Sequence, residues 1–229
     1  MKSILTTEAF GIIVTIIFFN LGIYLNKKLK TPIANPLLVS IVGIVIFLNI
    51  TKIPYENYKI GGDMINFFLG PVTIVLALPL YRQFGIFKKY IREILTGISV
   101  GVVMSFISIS IIGAITDIDI EIVNSLIPKS ITTPMGVSLS NTIGGISSIT
   151  IVSIIMTGIL GAIIAPYIFK LGNIKHSISK GIALGTSSHA LGTTKALEMG
   201  EVEGAMSGLS IGIAGVITVV IIPILINLM

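Results

Sequence analysis

Six apolar runs, each long enough to cross a lipid bilayer, constrain this chain more than any other feature. They occupy residues 9–25, 33–50, 64–81, 94–115, 146–169 and 205–228, and a hydrocarbon core of about 30 Å calls for roughly 20 apolar residues per helix. That core holds no water to receive backbone N–H and C=O groups, so a spanning segment has to pair them internally, as a helix does. The connecting segments are short, and no soluble domain is expected. The first run gives way to Asn26, Lys27 and Lys28 without a small-residue cleavage site, which predicts a retained helix rather than a signal peptide.

Composition narrows the function classes. Of the 229 residues, 53% are apolar and 11% charged, and the mean hydropathy is +1.03. With no cysteine and 2 histidines, disulfides, thiolate metal sites and thiol nucleophiles are excluded, and a metal cluster has few ligands. A net charge of +5 does not point to nucleic acid, because the basic residues flank the apolar runs, where they orient membrane proteins. Lys27, Lys28 and Lys30, then Arg82, Lys88, Lys89 and Arg92, then Lys170, Lys175 and Lys180 mark three cytoplasmic connections. Asp117, Asp119 and Glu121 belong on the opposite side, as does the near-neutral segment holding Lys52, Glu56, Lys59 and Asp63. Both termini are then expected outside the cytoplasm.

Two polar, glycine-rich stretches, residues 129–145 and 185–204, interrupt this pattern, and each leads into a long apolar helix. Irregular backbone survives at membrane depth only where protein or a wet cavity satisfies it. The alternation of sides requires residues 119–142 to return to the face they left, with arms at 120–127 and 135–143 around a tip at 128–134. Residues 179–202 form a second hairpin from the cytoplasmic face, with its tip at 189–194. The rival arrangement, in which each stretch crosses once as a broken helix, strands the Lys170 to Lys180 cluster outside. Thr132-Thr133 is echoed by Thr193-Thr194 and Gly145 by Gly204. The expected fold is therefore an all-α integral membrane protein with six spanning helices and two re-entrant (or broken) helical hairpins, an inverted repeat of the transporter kind. Residues 1–93 form a scaffold or oligomer contact, and residues 94–229 form a core containing the repeats 119–169 and 179–229.

Small residues recur every four positions at Gly97, Gly101 and Ser105, at Ser153, Thr157, Gly161 and Ala165, and at Gly204, Gly208 and Gly212. Such ridges serve close helix packing or a sliding interface. Within the first break Lys129 is the leading site residue, since a charge at membrane depth is costly and usually functional. Ser130, Thr132 and Thr133 stand beside it, and the helix start after Pro134 favours an anion. The competing reading is a lysine that snorkels or pairs with an acid. The second break offers Ser187, Ser188, His189, Gly192, Thr193 and Thr194. His189 titrates near neutral pH and, with Glu198 and Glu203, is a candidate for carrying a coupled proton; a histidine that only bonds its neighbours is the alternative. The adjacent serines and His189 do not make a triad, so an enzyme is not expected. No cofactor is expected beyond a coupled proton or sodium ion.

The stretch Pro128-Lys129-Ser130-Ile131-Thr132-Thr133-Pro134 and the later Ser188-His189-Ala190-Leu191-Gly192-Thr193, followed by Glu203-Gly204, resemble the signatures of the LrgB/CidB family. The order of apolar runs resembles that family over essentially the whole length. The resemblance implies a bacterial cytoplasmic-membrane protein with a small LrgA/CidA-type membrane partner; a homo-oligomer is expected besides. It also implies one of two roles. One is secondary transport or facilitation of small monocarboxylates such as pyruvate, glycolate or glycerate, as in the related chloroplast glycolate/glycerate translocator. The other is antiholin- or holin-like regulation of murein hydrolase activity and cell lysis. Paired polar breaks with a lysine favour transport, with the two hairpin tips as its site.

Overall fold

The computed structural model describes residues 5–29, 36–68, 71 and 81–226. The chain divides into two compact units, Met1–Val75 and Leu76–Met229, and every regular element among the described residues is helical.

In the first unit α1 (Glu8–Leu29), α2 (Pro36–Thr51) and α3 (Tyr55–Phe67) pack together. Val14, Ile44 and Leu48 form the core. Gly11 and Gly61 bring α1 and α3 so close that a Cβ on Gly11 would strike the Tyr58 carbonyl. The Thr15 and Tyr58 hydroxyls meet at 3.0 Å across the same seam. The sequence pattern treats residues 51–63 as a connection, yet α3 fills most of it. Hydropathy reports apolar runs and is blind to a polar helix that starts behind a proline, here Pro54. The run expected at 64–81 lies mostly outside the described residues.

The second unit begins with the short α4 (Phe84–Lys89) and the long α5 (Ile91–Thr116). Then α6 (Ile120–Leu126) passes through a 3₁₀ turn at Ile127–Ser130 into α7 (Thr133–Thr142). Pro128 cannot continue a helix, whereas Pro134 suits a helix start. The two arms lie side by side: the Asn124 side-chain amide donates to the Ile143 carbonyl at 2.7 Å, and a Cβ on Gly136 would meet the Pro128 carbonyl at 3.4 Å. Gly144, at φ +75°, ends α7 in the left-handed conformation that glycine adopts freely.

Next α8 (Ser147–Leu171) runs beside α6, held by the Thr150 hydroxyl, which reaches the Ser125 carbonyl at 2.9 Å and the Ser140 hydroxyl at 2.7 Å. After a tight turn, α9 (Ser177–Met199) breaks at His189, where φ is 42° and ψ −135°. There it doubles back, so that Gly192 presses on the Leu184 carbonyl and on Ser188, eight and four residues behind it. A straight helix would place the eighth residue about 12 Å away. Finally α10 (Glu201–Ile226) runs alongside the first arm of α9, with Gly181 against Glu203 and Gly185 against Ser207. The second arm is clasped to α10 by the Thr193 and Ser207 hydroxyls, 2.7 Å apart. Because α8 opposes the first arm of α9, from Ile154 beside His189 to Ala165 and Phe169 beside Leu184, α8 and α10 point in opposite directions.

Among the described residues four helices, α1, α5, α8 and α10, are long and apolar enough to cross a membrane, against six expected from the sequence. The second expected run, 33–50, is realised as the 16-residue α2. Large apolar side chains such as Ile112, Val152, Val216 and Val220 face outward, a surface that lipid covers and water would not tolerate.

Candidate functional site

A cleft of about 1420 Å³ opens within the second unit. Its walls are the small-residue ridges, Gly97, Gly101 and Ser105 on α5 and Thr157, Gly161 and Ala165 on α8. Its floor is the first arm of α9, through Ile182, Thr186 and Ser187. Two of the ridges read from sequence as packing surfaces thus border open space for part of their length, and the glycines widen it by withholding side chains. Close packing and open space share these ridges: a Cβ on Gly101 would lie 2.8 Å from Thr186 Cγ2 and one on Gly161 would collide with Ser188, while one on the neighbouring Gly158 would lie 2.6 Å from the His189 ring.

At one end of the cleft stand Tyr90, Glu93, His176 and Ser179, at the starts of α5 and α9. At the other end the two chain reversals converge. The 3₁₀ turn delivers Lys129 and Ser130, and the break in α9 delivers Ser187 and Ser188. Lys129 Nζ donates to Ser105 Oγ at 2.7 Å. The ion pair found among the described residues is Lys195 with Glu198, exposed on the second arm of α9, so Lys129 faces hydroxyls rather than an acid. A half-buried ammonium without an acid beside it is costly, and an anion entering the cleft would offset that cost.

The other expected site residues are distributed differently. Thr132 and Thr133 start α7 and do not line the cleft. His189 is buried with its ring against α8, Nε2 lying 2.8 Å from the Ile154 carbonyl. A carbonyl oxygen only accepts, so Nε2 carries the hydrogen. Gly192 allows the two arms of α9 to touch, Thr193 forms the clasp to Ser207, and the exposed Thr194 bonds the Ala190 carbonyl at 3.2 Å. Glu198 pairs with Lys195, and Glu203 is buried at the base of the second reversal beneath Gly200. Sequence reasoning did not single out Ser105, Ser108, Thr157 or Thr186 as polar site groups. Their signal, hydroxyls inside small-residue ridges, reads equally well as packing.

No solved structure matches this chain. Relatives do: the antiholin-like protein LrgB of Bacillus cereus (strain B4264) and that of Bacillus anthracis (strain A0248) are each 40% identical over 218 residues, covering 95% of this chain and 95% of theirs. The LrgB-like family model matches residues 15–228, an extent that takes in the lysine turn, the histidine break and both long helices that follow them. By that match and that identity, the chain belongs to the LrgB-like family.

Proposed function

We propose that this LrgB-family protein carries a small monocarboxylate, of the pyruvate, glycolate or glycerate type, across the bacterial cytoplasmic membrane. The observation that carries this reading is the convergence of both chain reversals on one cleft, where Lys129 bonds Ser105 and shares the lining with Ser130, Ser187 and Ser188, with no acid in ion-pair reach of it among the described residues. In this reading the two reversals are re-entrant hairpins of an inverted repeat, since α8 and α10 oppose each other and each follows a reversal. The ammonium pairs with the carboxylate and the hydroxyls complete its hydrogen bonds. The cleft mouth at Tyr90, Glu93 and His176 lies on the side of the Lys88, Lys89 and Lys170 to Lys180 clusters, which is the cytoplasmic side by the positive-inside rule.

Uptake of labelled pyruvate, glycolate and glycerate into proteoliposomes, with and without a proton or sodium gradient, tests it. Wild type takes up at least one of them saturably, and Lys129→Ala abolishes that uptake. Uptake that survives in the alanine variant sinks the assignment of Lys129.

The relatives' name speaks for a second reading, an antiholin-like regulator of murein hydrolase activity and lysis acting with an LrgA-type partner. On names alone it is the better supported of the two. It predicts that Lys129→Ala leaves lysis phenotypes intact while changes to the lipid-facing surface of the long helices alter them. It does not by itself call for a lysine at the end of a hydroxyl-lined cleft.

A further inference from the structure

Behind the end of the cleft that holds Lys129 lies a second, much smaller void of about 10 Å³. Four hydroxyl residues line it, each from a different element: Ser105 on α5, Ser130 in the 3₁₀ turn, Thr186 on the first arm of α9 and Thr218 on α10; the remaining lining is apolar. Ser105, Ser130 and Thr186 also line the cleft, so they form the partition between the two spaces. Thr186 is 8% exposed, and its Oγ1 is the buried side-chain polar atom left without a hydrogen-bond partner among the described residues. Its methyl is turned toward α5, 2.8 Å from where a Cβ on Gly101 would sit. Ser105 Oγ accepts from Lys129 Nζ at 2.7 Å and still has its own hydrogen to donate.

Burying a hydroxyl without a partner is costly, and native proteins avoid it or place a water there. A void of roughly 10–15 Å³ is the smallest that holds one water, which needs two to four polar partners. We propose that this void is a built site for a single water molecule that bonds Thr186 Oγ1 and links it to Ser105, Ser130 and Thr218. The water takes the Ser105 hydrogen and so extends the chain that begins at the Lys129 ammonium. It also ties the 3₁₀ turn to α5, α9 and α10 at the level where the two reversals meet. A sodium ion suits the site poorly: no carboxylate lines it, and the Lys129 charge is one hydroxyl away. The proposal holds whether or not a solute passes through the cleft.

Thr186→Val keeps the side-chain shape and removes the hydroxyl. Thermal unfolding of the detergent-solubilised full chain is compared for wild type, Thr186→Val, Thr218→Val and the double variant, in sodium chloride and in choline chloride. Each single variant is expected to lower Tm by about 2–4 °C, and the double variant by less than the sum, because both changes remove the same water. A Thr186→Val variant as stable as wild type or more so means a dry void and overturns the proposal. A wild-type Tm higher in sodium than in choline, with the difference lost in Thr186→Val, means a cation and also overturns it. In a crystal structure of the wild type, ordered density within hydrogen-bond reach of Thr186 Oγ1 supports the site, and none there refutes it.

Discussion

His189 occupies backbone conformations that residues with a Cβ rarely adopt, φ 42° with ψ −135°, at a cost of about 1–3 kcal/mol. What holds it there is its ring, seated on the bare backbone of Gly158 and bonded to the Ile154 carbonyl at 2.8 Å. The residue therefore contributes a favourable side-chain contact and an unfavourable backbone, and substitutions separate the two. His189→Ala keeps the strain and loses the bond, while His189→Gly loses the bond and relieves the strain. The glycine variant is expected to be the more stable of the two by about 1 kcal/mol, read as Tm in detergent; an alanine variant equal to it or better would show that the reversal is not strained. The sequence made His189 conspicuous for its chemistry. Its place at a reversal was legible too, in the tip expected at 189–194, but the seat of its ring was hidden, because Gly158, which admits the ring, lies about thirty residues earlier on α8.

At the scale of elements, each of the two reversals is followed by a glycine and a long apolar helix. Each second arm is fastened to that helix by a hydroxyl pair, Ser140 with Thr150 and Thr193 with Ser207. If both hairpins return to the face they left, Asp119, before the first arm, and Lys175, before the second, lie on opposite sides of the membrane. Single cysteines at these two positions, in a chain that has none of its own, are expected to react with an impermeant thiol reagent from opposite faces; labelling of both from one face would falsify the hairpin topology. The first break was legible because Pro128 and Pro134 bracket it. The bounds of its arms were legible too, at 120–127 and 135–143 against Ile120–Leu126 and Thr133–Thr142. The amphipathic α3 was not legible, since its polar residues resemble those of a loop.

For the molecule as a whole, the cleft is the feature that makes transport a physical rather than a nominal proposal. Gly97 lines it, and a Cβ there would meet only Ile182 Cγ2, at an ordinary 3.7 Å. Gly97→Leu is thus expected to leave the fold intact by size-exclusion profile and Tm, while projecting into the cleft and cutting uptake at least tenfold. Undiminished uptake by a folded Gly97→Leu protein would place the solute path elsewhere.

By itself the sequence determined that this is a helical membrane chain, where most of its long helices lie, and that two polar breaks precede two of them. These follow from local rules: apolar run length, charge beside the runs, and proline in a turn. Tertiary structure decided which polar groups meet. Lys129 lies beside Ser105, 24 residues away, and shares a cleft with Ser187 and Ser188, nearly sixty residues on, whereas Thr132, Thr133 and His189 do not line it. Their neighbours in sequence gave no sign of this, because the facing of a side chain at a chain reversal is set by the helices packed around it and not by the residues beside it.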